Sequence, residues 1–332
     1  MELQWPLILF TTFLAWSAGV FGTQAIAALK GKFKKAQLPA LITSFVLLVI
    51  GGIAVFFHLE HWERIFNGFG NITSGITQEL IAIVVIVVIM VVYFIFIKKD
   101  DSDNIEQPQV VEVSDETKTV DENGETKTAE TEKVTVEAKP EDKAYFPTWL
   151  AVIAIIIAVV LDIVMSHSYM MAARPAWNNI FEIFSIIGAS CVLGPLTFAI
   201  IAKSATSIEA KESLVSTSFV GSIINAATTI VYIVSIALSA SAFTNVGYYF
   251  DPTHPTYGMV EPANLASGAS LAVTICAIVL CLIPVILTAI IRKKPAGNWL
   301  VFIVVSLIAA VAATVLLRVL MYQMGLTVFA FY

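Results

Sequence analysis

One short polar segment, residues 58–79, lies between two long apolar stretches. Its ionisable and amide side chains are His58, Glu60, His61, Glu63, Arg64, Asn67, Asn71, Gln78 and Glu79. Carboxylates and imidazoles can accept, donate and relay protons, and an imidazole does so near neutral pH because its unperturbed pKa is about 6.5. Ionisable groups at a membrane boundary are costly to place and are therefore candidates for function. We predict that the chemistry of this chain lies here.

The segments around these residues must be membrane helices. The chain is 58% hydrophobic, and only 13% of its residues are charged. A helix needs about 20 apolar residues to cross the bilayer core, and it satisfies its own backbone hydrogen bonds there. Eight apolar runs qualify, at about residues 5–29, 38–58, 75–97, 147–169, 180–203, 213–240, 262–291 and 298–322. We predict an all-α integral membrane protein, a bundle of eight transmembrane helices.

The basic residues predict the orientation of these helices. Sixteen of the nineteen Lys and Arg fall in loops on one side of the eight helices, and only Arg64, Arg174 and Arg318 lie toward the other. The positive-inside rule then places both termini outside. Because lysines follow the first apolar run rather than precede it, we expect a retained helix and not a cleaved signal peptide.

An acidic segment, residues 100–146, divides the chain. It contains fifteen Asp and Glu against five Lys, with almost no large apolar residues. Such a segment cannot bury enough apolar surface to offset chain entropy, so we expect a disordered cytoplasmic insert. Residues 1–99 then hold helices one to three, and residues 147–332 hold helices four to eight.

The ionisable residues of the apolar runs lie near the outer ends of the predicted helices. They are His58, Glu79, Asp162, His167, Glu182 and Arg318. A transporter usually needs a polar site near the midplane, and a proton channel needs relays at several depths. Because the ionisable residues lie at one depth only, near the outer face, we expect a site that opens to the outer leaflet. A lipid-soluble molecule could enter it sideways, and its protons could leave to the outside. A quinol fits, because its oxidation releases two protons and two electrons.

Two residues are candidate catalytic groups, and four are candidate supports. His58 and Glu79 are expected to accept or relay the protons of the quinol. The supporting residues, which would position the quinol, contact a partner or stabilise charge, are Arg64, Asn67, Asp162 and Arg318.

Each assignment has an ordinary alternative. His58 can anchor a helix end at the interface, and Glu79 can be an acidic residue favoured at a helix start. Asp162 can belong to a structural pair with Arg318 or His167, since an unpaired carboxylate at this depth would be costly.

We expect no metal or cofactor site in this chain. Cys191, Cys276 and Cys281 lie inside apolar runs, at a spacing that matches no zinc or iron–sulfur motif. A bis-histidine haem needs two facing imidazoles, and the pair nearest to membrane depth, His58 and His167, lies at helix ends. We therefore expect neither a haem nor an iron–sulfur cluster.

Several segments resemble the DmsC family, the membrane anchor subunit of dimethyl sulfoxide reductase and related molybdoenzymes. Residues 5–11, WPLILFT, resemble the opening of that family. The order His58-Leu59, Arg64, Phe66-Asn67 and then Glu79 resembles its segment between helices two and three and the start of helix three. Similar residues follow in the family's order: Tyr169, Pro175, Trp177, Gly194, Pro195, Arg318, Tyr322 and Thr327. Two departures are Trp62, where the family usually has proline, and the long acidic insert.

This resemblance implies an anaerobic respiratory function. Members of the family oxidise menaquinol at the outer face and pass electrons to an iron–sulfur subunit with four clusters. That subunit feeds a catalytic subunit holding molybdopterin guanine dinucleotide. The resemblance also implies eight helices with both termini outside, a quinol site containing His58 and Glu79, and no haem. It implies partners on the outer face and a place in the cytoplasmic membrane of a prokaryote, in contact with lipid and quinone and not with nucleic acid.

Three alternatives stay open at this stage. The chain can be the anchor of another quinol-linked complex, such as a polysulfide reductase type. It can be a small-molecule transporter, or a structural tether without a quinol site.

Overall fold

A computed structural model describes residues 3–58, 70–105, 146–204, 207–239, 268–293 and 297–325. In these ranges the chain is helical and has no strand, and eight helices are long and apolar enough to cross a membrane. They are α1 (Trp5–Leu29), α2 (Lys34–Phe56), α3 (Gly75–Ile105), α4 (Thr148–Tyr169), α5 (Ile180–Ile201), α6 (Ile208–Ser239), α7 (Gly268–Lys293) and α8 (Trp299–Met324). The predicted all-α class with eight membrane-spanning helices is confirmed for this part of the chain.

Three helices extend four residues or more beyond their predicted ends. α2 begins at Lys34 instead of residue 38, and α6 begins at Ile208 instead of residue 213. Ser207 caps α6, because its hydroxyl accepts a hydrogen bond from the Ala210 amide at 3.2 Å. α3 continues to Ile105, into the predicted acidic insert. Counting apolar runs misses such turns, since polar residues are favoured where a helix leaves the hydrocarbon.

Most of the predicted insert lies outside the described ranges. The structure describes its first residues as the end of α3 and resumes at residue 146. The disorder expected for the insert therefore stays a prediction.

The centre of the bundle is built on close helix contacts at glycine. α1 packs against α2, α4 and α5, and α5 also packs against α6 and α8. Gly194 of α5 lies so near the Gly19 carbonyl of α1 that a Cβ at position 194 would clash with it, and Gly221 of α6 meets the Cys191 carbonyl of α5 in the same way. Small residues allow such approaches in membranes, where association depends on van der Waals contact. These contacts hold α1, α5 and α6 together.

The outside of the bundle is apolar. Large aliphatic side chains are more than half exposed on seven helices, α2 to α8, for example Ile53, Val88, Ile156, Val234 and Ile308. Such a surface suits hydrocarbon and not water. Together with the eight long apolar helices, it indicates a multi-pass membrane protein.

The two ends of the bundle differ in charge. Because successive helices cross in alternate directions, the turn between α1 and α2 lies at the same end as the last turns of α3, α5 and α7. This end carries Lys30, Lys99 and Lys293, and we call it the lysine end. The opposite end holds the buried Glu79 and Glu182, and we call it the cavity end. The positive-inside rule predicts that the cavity end faces outside.

Candidate functional site

A cavity of about 270 Å³ lies at the cavity end. It is formed by the first turns of α1 and α3, the last turns of α2, α4 and α8, and the loop between α4 and α5. Apolar side chains make up much of its wall, among them Leu7, Phe10, Val55, Ile76, Leu80 and Ile83. Polar and aromatic side chains converge on it: Gln4, His58, Glu79, Ser168, Tyr169, Arg174, Trp177 and Tyr322. An apolar cavity with a few convergent polar groups is typical of a site for a small ligand.

The cavity brings His58 and Glu79 together. His58 follows the last turn of α2, where its amide donates to the Val55 carbonyl at 2.9 Å. Its side chain is exposed, so the imidazole lies at the rim of the cavity. Glu79 lies in the second turn of α3 and is only 8% exposed, so its carboxyl group lies in the wall. The two candidate proton acceptors therefore occupy the rim and the interior of one cavity.

Ser168 of α4 holds the carboxyl group of Glu79. Its hydroxyl donates to Glu79 Oε1 and also lies 2.9 Å from the Met165 carbonyl oxygen. A hydroxyl has one hydrogen and can donate to only one acceptor at a time. Ser168 can donate to a charged Glu79, or accept from a protonated Glu79 while it donates to Met165. Gly75 makes this contact possible, because a Cβ there would clash with the Ser168 side chain.

Three aromatic rings form one wall of the cavity. Tyr169, Trp177 and Tyr322 meet edge to face, with ring centroids 5.2 to 6.4 Å apart. The Trp177 indole donates to the Met321 carbonyl at 2.8 Å, and Gly325 lies directly against the indole. The loop between α4 and α5 is thereby fixed to the end of α8. A rigid aromatic wall suits contact with a planar ring.

Arg174 places a positive charge beside this wall. Its guanidinium lies 4.4 Å from the centroid of a Trp177 ring and donates to the Gly325 carbonyl at 3.0 Å. Partial burial lowers the pKa of Arg174 from its usual value, but an arginine stays charged at neutral pH. The cavity therefore has a fixed cation in its lining.

Arg318 lies behind the aromatic wall and is paired with Glu182. Its Nη1 is 3.5 Å from Glu182 Oε1, and its Nη2 donates to the Ser185 hydroxyl at 2.5 Å. Both charged side chains are buried. An unpaired charge would be costly here, and the ion pair offsets part of that cost. Arg318 does not line the cavity, whereas Tyr322, one turn further along α8, does.

Asp162 lies apart from the cavity, contrary to the expected grouping of site residues. It is six residues before Ser168 on α4 and therefore points about 240° around the helix from it. It faces Ser190 of α5, and its Oδ1 has no hydrogen-bond partner among the described residues. The pair suggested for Asp162 and Arg318 does not form, since Arg318 is held by α5. His167 is exposed on α4 and does not line the cavity.

Some predicted site residues lie outside the described ranges, and some residues of the site were not predicted. Arg64 and Asn67 lie outside the described residues, so their roles stay predictions. Ser168 and Arg174 line the cavity but were not among the predicted site residues. The neighbouring His167 and Tyr169 were noted, but Ser168 itself was not, because serine is common in membrane helices and its partner Glu79 is 89 residues away. The Pro175 and Trp177 similarity was the one signal that pointed to the loop containing Arg174.

Buried polar groups also occur toward the lysine end. The Gln37 amide donates to the Gln24 carbonyl at 3.1 Å, and the Tyr93 hydroxyl donates to Gln37 Oε1 at 3.0 Å. All three side chains are fully buried. They are neutral amides and a phenol, so the predicted contrast between the two ends applies to charged groups and not to all polar groups.

Comparison with protein families gives a match in the first three helices. The family described as DMSO reductase anchor subunit (DmsC) matches residues 1–109. This range includes His58, Arg64, Asn67 and Glu79 and excludes everything from α4 onward. No curated protein and no solved structure matches the chain. The resemblance to the DmsC family that the sequence indicated is thereby confirmed over residues 1–109.

Proposed function

We propose that this chain is the membrane anchor subunit of a respiratory molybdoenzyme complex of the dimethyl sulfoxide reductase type, and that it oxidises menaquinol at the cavity end. One observation carries the proposal: His58 and Glu79, both inside the segment that matches the anchor family, line the same cavity. Electrons would pass to an iron–sulfur subunit and then to a molybdopterin subunit, both docked at this end. Docking at this end keeps the distance for electron transfer from the quinol short.

The walls of the cavity suit the ring and the tail of a quinol. The aromatic wall of Tyr169, Trp177 and Tyr322 offers edges and faces for a two-ring headgroup. Val55 of α2 and Ile83 of α3 line the cavity on the side where these two helices contact each other little. We propose that the isoprenoid tail of the quinol reaches the lipid between these two helices.

The two candidate acceptors suit the release of two protons. Quinol oxidation gives a quinone, two protons and two electrons, so each hydroxyl needs a base nearby. Glu79 would take one proton and then donate to Ser168, whose hydrogen turns to the Met165 carbonyl. His58 would take the other proton at the rim, in contact with water. If the cavity end faces outside, both protons leave on that side and the reaction moves no charge across the membrane.

The experiment compares three variants of the assembled complex. His58→Ala and Glu79→Gln should each lower the rate of naphthoquinol oxidation by about a hundredfold or more, the usual contribution of a general base. His167→Ala is the matched control. His167 lies in the last turn of α4, at the cavity end, but its side chain is exposed and does not line the cavity. This variant should keep the wild-type rate.

A second readout separates chemistry from assembly. A soluble reductant that gives electrons directly to the hydrophilic subunits should support equal activity in all three variants. Unchanged naphthoquinol oxidation in both His58→Ala and Glu79→Gln, with the complex intact, would favour a structural tether over a quinol site.

A further inference from the structure

A second groove lies on the side of the bundle, between α1, α4, α5 and α6. Its volume is about 240 Å³, and it is separate from the cavity that holds His58. Its lining is mainly aliphatic and includes Ile26, Ile155, Val159, Ile187, Val220 and Ile224. Several of these residues also face outward from the bundle, where the membrane would lie: Val220 is 52% exposed.

The hydroxyl groups of this groove already use their hydrogens within the protein. Thr23, Ser190 and Thr217 each donate a hydrogen bond to a main-chain carbonyl, in every case at 2.8 Å. Asp162 also borders the groove, but it is only 2% exposed. The groove therefore presents hydrocarbon along its length, and its occupant must be apolar there.

The groove continues toward the lysine end. A smaller pocket at that end shares part of its lining, namely Thr23, Ile26, Pro195 and Thr217. The same smaller pocket is lined by Lys30 and Lys32. The apolar groove thus borders a pocket that carries two positive charges at the lysine end.

The turn that carries the two lysines is held in place. The amides of Gly31 and Lys32 donate back to carbonyls of α1 at 2.9 and 3.0 Å. Phe33 has a left-handed backbone conformation, with φ 61°, and its ring packs edge-on against Phe198 of α5 at 5.8 Å. Lys30 and Lys32 are exposed, and neither forms an ion pair with another described residue. Their charges are available at the mouth of the groove.

We propose that this groove binds an anionic glycerophospholipid. Its phosphate would lie at Lys30 and Lys32, and one acyl chain would lie along the aliphatic wall beyond Ile26. Basic pockets between membrane helices bind acidic lipid head groups in this way, and each lysine near the head group contributes to the selection of charge. The proposal is independent of the proposed function, because no residue of the quinol cavity takes part.

The combination of charge and hydrocarbon distinguishes the lipid from other occupants. A quinol has no negative charge that would use the lysines. An apolar transmembrane helix could cover the hydrocarbon wall but would leave Lys30 and Lys32 without an anionic partner. An acidic peptide would match the lysines but not the hydrocarbon wall. A lipid with a charged head and an apolar chain matches both parts of the groove.

The test measures lipid retention by the purified full-length protein in native mass spectrometry. The probes are phosphatidylglycerol and phosphatidylcholine with identical acyl chains. The wild type should retain phosphatidylglycerol in preference to phosphatidylcholine. The double variant Lys30→Gln/Lys32→Gln should lower that preference about thirtyfold. The control, Lys99→Gln/Lys293→Gln, removes two charges from the same end but outside the groove and should keep the preference. Equal retention of the two lipids by the wild type would overturn the proposal, as would a preference that survives in the Lys30→Gln/Lys32→Gln variant.

A second pair of variants tests the acyl-chain part of the groove. Val220→Trp should fill the groove and lower retention of phosphatidylglycerol at least tenfold. Val234→Trp is the control, since Val234 lies on the same helix, is also 52% exposed and does not line the groove. Both positions face outward, so a tryptophan disturbs the core at neither. Equal retention in the two tryptophan variants would contradict the proposed path of the acyl chain.

Discussion

At the scale of single residues, the candidate site depends on Glu79 being stable in two protonation states. An isolated buried carboxyl group has one favourable state, the neutral one. The Ser168 hydroxyl can donate to Glu79 when Glu79 is charged. When Glu79 is protonated, the hydroxyl can accept from it and donate its own hydrogen to the Met165 carbonyl. A proton acceptor that must load and unload in each turnover needs this freedom.

The first prediction concerns Ser168. Ser168→Ala should lower naphthoquinol oxidation about tenfold, since a hydrogen bond to a charged group contributes roughly 1.5–3 kcal/mol. In the Glu79→Gln background the same substitution should have little further effect, because the two residues act together. The measurement is a double-mutant cycle on the rate of naphthoquinol oxidation. Equal losses in the two backgrounds would show that Ser168 acts without Glu79.

At the scale of helices, two kinds of contact fix the elements that carry the site. The buried pair of Arg318 and Glu182 joins α8 to α5. Glycine contacts join α5 to α1 and to α6. Because α1, α3, α4 and α8 all contribute to the cavity, a small displacement of one helix would change its shape.

The second prediction concerns the buried ion pair. Arg318→Gln and Glu182→Gln should each destabilise the fold by about 3–5 kcal/mol, because each leaves one buried charge without its partner. The double variant should lose less than the sum of the two, since two amides can bond to each other. Thermal unfolding in detergent gives the comparison. Additive losses would mean that the two side chains do not interact in the folded protein.

The third prediction compares two glycines in membrane helices. Gly194→Ala should destabilise the protein by about 1–3 kcal/mol, because its Cβ would push α1 away from α5. Gly52→Ala in α2 should be neutral or stabilise by up to about 1 kcal/mol, since a Cβ at position 52 meets nothing within 4 Å. Thermal unfolding of the two variants measures the difference. A similar melting temperature for both would contradict close packing at Gly194.

The helices were easier to predict from the sequence than the residues of the site. Apolar length alone indicates all eight helices, because the bilayer sets how long a helix must be. The polar first turn of α6 was missed, since no apolar run marks it. His58 and Glu79 were predictable because charges beside apolar runs are costly. Ser168 and Tyr322 were not predictable from residues 58–79, because helices distant in the sequence bring them to the cavity.

At the scale of the whole molecule, the protein has one end with buried charges and one end with exposed lysines. The positive-inside rule predicts that the lysine end is cytoplasmic. In that orientation a partner docked at the cavity end would be outside the cell, and the protons of the quinol would be released there. The acidic segment 100–146 would be inside.

The fourth prediction tests this orientation with single introduced cysteines. Asn71→Cys at the cavity end and Lys99→Cys at the lysine end are both at exposed positions. A membrane-impermeant maleimide should label Asn71→Cys in intact cells and Lys99→Cys only after the membrane is opened. The unsubstituted protein gives the background from its own cysteines. The reverse pattern would invert the topology and move the proton release to the inside.

The central claim is that a quinol is oxidised in the cavity lined by His58 and Glu79. Its most direct test is photolabelling of the assembled complex with a light-activated naphthoquinone, followed by mapping of the labelled peptides. We expect labels within residues 76–83 and 168–177, and excess naphthoquinol should prevent them. Labels that naphthoquinol does not prevent, or that fall in the groove near residues 155–162 and 217–224, would contradict the quinol site.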